Sequence, residues 1–178
     1  MHATLSDVIA DTAQNSIEAH ARHVRVTLTE ADGRIAVRIA DDGKGMDAAT
    51  CARAFDPFFT EPGKHAGRRV GLGLPILKQM CEGAGGGVTL RSEAGKGTTL
   101  DFHFAAHHLD LPPMGDIADM VLTLFNYPGD FELVFTHRRG TAEYSVARSE
   151  LREAVGGLES VANLALAREF LRGQEEFD

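Results

Sequence analysis

The sequence has little of what defines several common protein classes. Among its 178 residues there are only two cysteines, Cys51 and Cys81, and they form no C-x-x-C pair, which excludes a disulfide framework and a four-cysteine zinc site. Two buried thiols are the simplest interpretation of these residues, and a redox-sensing pair is the alternative. No stretch approaches the ~18–20 apolar residues of a membrane span.

Positive charge is also scarce. The formal net charge of −8 excludes a chain that is held to nucleic acid by bulk electrostatics. The first residues lack the basic start and the continuous apolar core of a signal peptide. We therefore expect a cytoplasmic protein with neither a membrane nor a nucleic-acid partner.

The apolar residues alternate between helical and strand periodicity, which is typical of an α+β protein. Asp32-Gly33 lies between two alternating runs and predicts a hairpin. Residues 57–69 carry proline, glycine and basic groups without periodicity and predict a loop. The predicted helices cover residues 3–21, 48–54, 74–81, 117–125 and 161–171, and the predicted strands cover 24–28, 35–39, 88–91, 98–104, 131–136 and 141–147.

A linker over residues 105–113, which ends in two prolines, divides the chain. We expect an N-terminal domain over 1–106 and an extension over 107–178 that packs on it. Apolar residues alternate along both strands of the extension, which predicts one buried face. We expect this face either to pack against the N-terminal domain or to form a surface for a partner or a second copy of the chain.

Glycine pairs suggest a place where backbone approaches a ligand. Gly71 and Gly73 open a predicted helix, where exposed N–H groups form a cradle for phosphate. Lys64, Arg68 and Arg69 precede them and supply positive charge. The pattern predicts a triphosphate site, although a flexible turn with a solvated basic run would give the same spacing.

Five motifs in a fixed order resemble the superfamily of gyrase, the ATP-driven chaperones, histidine kinases and mismatch-repair ATPases. They are the asparagine box, the first glycine box D-x-G-x-G, a kinase-type phenylalanine box, the second glycine box and the last box, at residues 11–19, 41–45, 55–60, 71–74 and 95–99. The resemblance implies an α/β sandwich of the Bergerat type, with a mixed, mainly antiparallel sheet covered by helices on one face. It also implies ATP and Mg²⁺ as ligands.

The asparagine box carries the chemistry in this resemblance. Asp11 and Asn15 are four residues apart and share one face of the predicted helix. Asn15 would offer its amide oxygen to Mg²⁺. Asp11 would orient or deprotonate a nucleophile and is the candidate catalytic residue.

The other boxes would hold the nucleotide. The resemblance implies that Asp41 accepts the adenine amino group, that Met46 packs on the base, and that Thr98 supports the adenine end through its hydroxyl. Residues 60–70 would form a movable lid over the phosphates. The remaining candidate ATP-binding residues are Gly43, Gly45, Lys64, Arg69, Gly71, Leu72, Gly73 and Leu74.

The motifs are compatible with three activities: a kinase that transfers phosphate, an ATPase that hydrolyses ATP, and a switch that only binds it. The chain starts close to the asparagine box and we expect any phosphoacceptor to come in trans, because His20 and His23 are poorly placed for that role. The Asp11 carboxylate favours hydrolysis or phosphorylation of a hydroxyl, whereas the phenylalanine box favours a histidine-kinase style. The alternative is a non-catalytic ATP-dependent switch that regulates a partner protein.

A narrower resemblance concerns two runs of sequence. Residues 69–75 and 111–117 are similar to small stand-alone ATPase-domain proteins encoded beside hydrogenase-type iron–sulfur proteins.

His103, His107 and His108 could suggest a metal site, but they have no cysteine or carboxylate cluster nearby in sequence, and a solvent-facing set is the simpler interpretation. A homodimer through the extension is a further hypothesis.

Overall fold

The computed structural model describes residues 4–59 and 73–177. Strands and helices alternate in groups along this part of the chain, as expected for an α+β fold. In chain order the elements are α1 (Leu5–Glu18), β1 (His23–Ala31), β2 (Arg34–Asp41), α2 (Ala48–Arg53), α3 (Gly73–Gly83), β3 (Gly87–Glu93), β4 (Gly97–Ala105), α4 (Ile117–Phe125), β5 (Glu132–Arg139), β6 (Ala142–Ala147), α5 (Arg148–Val155) and α6 (Val161–Gln174).

The strands form one six-stranded sheet in the order β3-β4-β2-β1-β5-β6. All neighbours are antiparallel except β1 and β5, which run parallel with Val26 opposite Phe135. The mixed, mainly antiparallel sheet with its helices confirms the predicted fold class. The hairpin turn is at Asp32-Gly33, where both residues have positive φ, as a two-residue turn requires.

The core lies on one face of the sheet. Along β1 and β2 the buried residues alternate with exposed ones, so that Val26 and Val37 point inward while Arg25 and Arg38 point outward. Helices α1, α3 and α4 pack on the inward side, and α6 packs on α4. The inward-facing residues are therefore removed from water by these helices, which is the main favourable term for the fold.

The first helix begins and ends at defined signals. Thr4 and Asp7 form a capping box, in which each side chain accepts from the other residue's backbone N–H. His20 adopts a left-handed φ of 61° just beyond the end of the helix. The helix is therefore shorter than the predicted 3–21, because its turn signals lie inside the apolar pattern.

Residues 107–178 contribute to the same sheet and core. Parallel pairing of β5 with β1 adds the second hairpin to the sheet edge, and Leu133 and Phe135 are fully buried. Arg148, the first residue of α5, donates from its guanidinium to the backbone carbonyls of Phe125 and Phe131 at 2.8 and 2.7 Å, which ties the start of α5 to the end of α4. The boundary between residues 106 and 107 stays a prediction.

Helix α5 was not predicted from the sequence. It buries only Leu151 and has no side-chain cap at Ala147, so it carries neither an apolar periodicity nor a start signal. It follows β6 directly and packs on β5, β6 and α6, so that tertiary packing stabilises it.

If the extension shares one cooperative core with the rest, Phe135→Ala should destabilise the whole chain by about 3–5 kcal/mol in one urea transition, because a fully buried ring is lost. Phe170→Ala is the matched control, since that ring is half exposed, and it should cost much less. Two separate transitions would contradict a shared core.

Candidate nucleotide-binding site

Asp41 lies at the end of β2 and joins three parts of the chain. Its Oδ1 accepts from the backbone N–H of Gly43 at 2.9 Å and of Thr98 at 3.2 Å, and the Ser16 hydroxyl donates to Oδ2 at 2.6 Å. A carboxylate offers about four lone-pair positions, so that one on Oδ2 is left for another donor. The contacts bring the asparagine-box helix, the first glycine box and the last box together.

Glycine is required where these loops meet. The backbone N–H of Lys44 donates to the Ala19 carbonyl at 2.9 Å, and a Cβ on Gly43 would lie 2.8 Å from that same oxygen. Gly45 has a φ of +61°, and a Cβ there would lie 2.0 Å from the Glu93 carbonyl oxygen. The backbone after β2 can therefore approach α1 and β3 only without side chains.

Ser92 connects the loop after β2 to the last box, although sequence reasoning missed it. The backbone N–H of Met46 donates to Ser92 Oγ at 2.8 Å. Ser92 Oγ lies 2.8 Å from Thr98 Oγ1 and 3.0 Å from the Gly97 carbonyl oxygen that accepts from it. The predicted strand 88–91 ended one residue before Ser92, whereas the observed strand includes it, so the sequence offered no specific signal for this contact.

Ser16 was missed for a similar reason. It is buried on the sheet-facing side of α1, in the same row as Ile9 and Thr12, and it reaches Asp41. A serine at a buried helix position needs a hydrogen-bond partner, and that partner is 25 residues away in sequence.

Asp11 and Asn15 occupy the exposed side of the same helix, one turn apart. Asn15 precedes Ser16 in sequence, but its side chain is exposed whereas that of Ser16 is buried. Amide and carboxylate oxygens, as on Asn15 and Asp11, are ligands that suit a hard cation such as Mg²⁺. Within residues 4–59 and 73–177 there is no group of three or more His, Cys, Asp or Glu side chains that could hold a metal.

Asp42 has a structural role that differs from that of Asp41. Its Oδ1 accepts from the backbone N–H groups of Arg22 and His23 at 2.7 and 2.8 Å, and its Oδ2 lies 2.7 Å from His23 Nδ1. These hydrogen bonds, led by the one from the His23 backbone, lower the pKa of Asp42 to about 2. Asp42 thus fixes the start of β1 and engages the His23 ring.

Only part of the second glycine box can be located. Helix α3 begins at Gly73 and packs on α1, β3 and β4, and Leu74 is half-buried against the core. The predicted lid over residues 60–70 and the candidates Lys64, Arg69, Gly71 and Leu72 lie outside the described residues.

The two cysteines are free thiols with different surroundings. Cys81 is fully buried and burial raises the pKa of its thiol to about 12, which makes it inert. Cys51 is half-buried on α2.

A model of the histidine kinase-, DNA gyrase B-, and HSP90-like ATPase family matches residues 2–108. The chain belongs to this family. The match covers the asparagine box, both glycine boxes and the last box, so Asp41 and its three donors all lie within the ATPase domain.

Curated relatives are similar to the ATPase domain over part of their length. Sensor histidine kinase ZraS of Escherichia coli (strain K12) is 28% identical over 113 residues, which are 62% of this chain and 23% of ZraS. Heme sensor protein HssS of Staphylococcus saprophyticus is 41% identical over 81 residues, 46% of this chain and 17% of HssS. The chain thus spans less than a quarter of the length of these relatives.

The similarity of fold reaches beyond the ATPase domain. A crystal structure of the N-terminal domain of a DNA repair protein superposes with a TM-score of 0.58 over 90% of this chain and 58% of that one, at 12% identity. At this identity the likeness concerns the fold alone.

None of the helices described in this structure has the length and apolar character needed to cross a bilayer.

Two glycines of the last box, Gly95 and Gly97, differ in the space around them and provide a matched pair of variants. A Cβ on Gly97 (φ +103°) would lie 1.9 Å from the Asp41 carbonyl oxygen, whereas one on Gly95 (φ +77°) would meet nothing within 4 Å. Gly95→Ala should cost about 1–2 kcal/mol from backbone strain alone. Gly97→Ala should cost clearly more, measured by urea unfolding, since β2 and β4 must separate there. Equal losses would refute the close approach.

The hydrogen bonds to Asp42 predict a pH dependence. Its pKa is below the usual value in the folded state, so the carboxylate stabilises the fold above about pH 4 and this contribution disappears as the pH falls through about 2. Asp42→Asn should cost about 1 kcal/mol at neutral pH, a value kept small because the side chain is 46% exposed. Thermal unfolding at a series of pH values should show the two proteins converging in acid; a constant difference would contradict the assignment.

Proposed function

We propose that the ATPase domain binds Mg-ATP, with Asp41 as the group that selects adenine. The supporting observation is that three donors occupy three acceptor positions of Asp41 and leave one on Oδ2. An amino group such as that of adenine can donate to this position, whereas the carbonyl oxygen of guanine cannot. Thr98 and Met46, which Ser92 links, would complete the adenine end.

The polyphosphate end would be held by groups near the end of α1 and around the start of α3. Asn15 would ligate Mg²⁺ through its amide oxygen, and the ion would neutralise phosphate charge. Backbone and basic groups of the second glycine box and the lid would contact the phosphates. These proposed contacts are Lys64, Arg69, Gly71, Leu72, Gly73 and Leu74.

For the reaction, we propose phosphotransfer to a partner in trans or hydrolysis, with Asp11 orienting or deprotonating the nucleophile. The relatives named as sensor histidine kinases support the first of these. A switch that binds ATP without turnover is the other candidate. The cytoplasmic location, the homodimer and the likeness to proteins encoded beside iron–sulfur proteins stay predictions.

The binding proposal is tested by calorimetry with ATP, GTP and Mg²⁺. We expect ATP to bind at least tenfold more tightly than GTP, because GTP would leave the Asp41 carboxylate facing an acceptor. Asp41→Asn should remove this preference. Equal affinities for the two nucleotides in the wild type would contradict the role of Asp41.

Asn15→Ala tests the cation site separately. It should weaken the Mg²⁺-dependent part of ATP binding by about tenfold or more while ATP binding in EDTA is unchanged. Asn163→Ala is the control, because Asn163 lies on α6 and its amide donates to the Gly156 carbonyl. Identical Mg²⁺ dependence in wild type and Asn15→Ala would remove Asn15 from the site.

The variant Asp11→Asn distinguishes an enzyme that turns over ATP from a switch that only binds it. If Asp11 acts on the nucleophile, phosphate release or transfer with added partner proteins should fall by about 10²-fold or more, and ATP affinity should be retained. Turnover that is unaffected by this change would exclude Asp11 as the base. ATP binding without turnover in the wild type under any condition would favour the switch.

A further inference from the structure

The sheet ends in two edge strands, β3 and β6, which differ in how well they are shielded from another chain. Edge strands carry unpaired backbone groups, and proteins shield them with charged side chains, proline or a covering element. Strand β3 carries Arg91 and Glu93 and is contacted by α2. Strand β6 has no lysine, arginine or proline, and its one charged residue, Glu143, is ion-paired with Arg138 of the same hairpin. The edge at β6 is therefore the one open to a partner.

The hydrogen bonds of β5 show which of its residues face β6. The N–H of Glu132 donates to the Arg22 carbonyl at 2.8 Å, and that of Gly140, just beyond β5, donates to the Glu30 carbonyl at 3.0 Å. Even-numbered residues of β5 therefore direct their backbone groups to β1. Because successive residues of a strand point to opposite sides, the odd-numbered residues of β5 bond to β6.

Three residues of β6 direct their backbone to the open edge. The odd-numbered residues of β5 lie opposite residues 142, 144 and 146, so these are the ones that bond to β5. Glu143, Ser145 and Ala147 then point away from the sheet. In the part of the chain that the structure describes, their N–H groups donate to no other segment. The chain then turns toward β5, where the Ser149 N–H donates to the Glu132 carboxylate at 3.2 Å, so α5 starts away from the open edge.

These open groups are complementary to a second copy of β6 that runs antiparallel about a two-fold axis at Ser145. In that register Ser145 lies opposite the same residue of the second copy, and the two exchange a pair of backbone hydrogen bonds. Each Ala147 N–H then faces the Glu143 carbonyl of the other copy. An axis at Glu143 would instead place two like charges opposite each other, and one at Ala147 would leave most of the strand unpaired.

The side chains on the helix-covered face agree with this register. Tyr144 would lie opposite Val146 of the second copy, and an aromatic residue opposite a β-branched one is a favourable cross-strand pair. Val26, Phe135 and Val146 already form one buried row across β1, β5 and β6. That row would continue through the half-buried Tyr144 of the second copy into its core, which removes further apolar surface from water.

We propose that the chain forms a two-fold dimer in which the β6 strands of two copies pair antiparallel about Ser145. The two six-stranded sheets then become one continuous sheet, and the interface is isologous, because each copy contributes the same surface. Few backbone hydrogen bonds cross the axis, so the association is weak and depends on concentration.

The dimer does not depend on the proposed nucleotide site. Strands β1 and β5 separate β6 from β2, the strand that ends at Asp41. Failure of the dimer would therefore leave the nucleotide proposal unchanged, and the variants below should retain the ATP affinity of the wild type.

Sedimentation velocity of the full chain, from about 10 µM to about 1 mM, tests the dimer with charges placed on its axis. The wild type should change from one chain to two over this range. Ser145→Asp and Ser145→Lys should each stay monomeric, because the axis brings two like charges together, and an equimolar mixture of them should form the dimer again. Ser145 is exposed and contacts the Thr136 hydroxyl, which can donate to a carboxylate or accept from an ammonium, so both variants should fold.

Thr89 provides the matched control. It is exposed on the same face of the sheet, but on the other edge strand, β3. Thr89→Asp and Thr89→Lys should therefore dimerise like the wild type. A dimer that the Thr89 variants disrupt, or that the Ser145 variants leave unchanged, would overturn the proposal.

Amide hydrogen exchange of the wild type gives a readout that needs no variant. The Ser145 and Ala147 amides should be unprotected in dilute protein and gain about tenfold protection or more as the dimer forms, whereas the Tyr144 and Val146 amides, which bond to β5, should be protected throughout. A chain that stays monomeric at about 1 mM would overturn the proposal. Protection of Ser145 in the monomer would also overturn it, because another segment of the same chain would then occupy the edge.

Discussion

The carboxylate of Asp41 accepts hydrogen bonds from α1, from the loop after β2 and from β4, and the arrangement of the site depends on it. Each donor sits on an element that the sheet or its helical cover holds in place. The Ser16 hydroxyl reaches Asp41 because α1 buries that side of its surface on the sheet. Asn15, the proposed cation ligand, lies on the exposed side of the same helix.

The glycines act on this arrangement by permitting close approach. At Gly45 and Gly97 there is no space for a Cβ between facing backbone segments, so the loops after β2 and before β4 can be in direct contact. Ser92 then links these two loops through side-chain hydrogen bonds. The extension adds two strands to the other edge of the sheet and places α4 against α1, which stabilises the helix that carries the asparagine box.

The sequence allowed prediction of features that depend on neighbours along the chain. The β1–β2 hairpin followed from alternation around Asp32-Gly33, and α4 was predicted at its observed bounds of 117–125. Long-range contacts were not predictable. The parallel pairing of β5 with β1, the link from Met46 to Ser92 and the pairing of His137 with Glu30 join residues that are distant in sequence, and no local pattern specifies them. Asp41, Gly43 and Thr98 were identified as site candidates because they lie inside compact motifs, and their nucleotide contacts stay predictions.

Adenine binding at the Asp41 carboxylate, as proposed, is tested most directly by backbone NMR. The amides of Gly43 and Thr98 donate to this carboxylate and report on any new donor to it. We predict that Mg-ATP shifts both amide resonances strongly and that Mg-GTP at the same concentration does not. Saturating Mg-ATP that leaves Gly43 and Thr98 unperturbed, while resonances elsewhere move, would contradict the account.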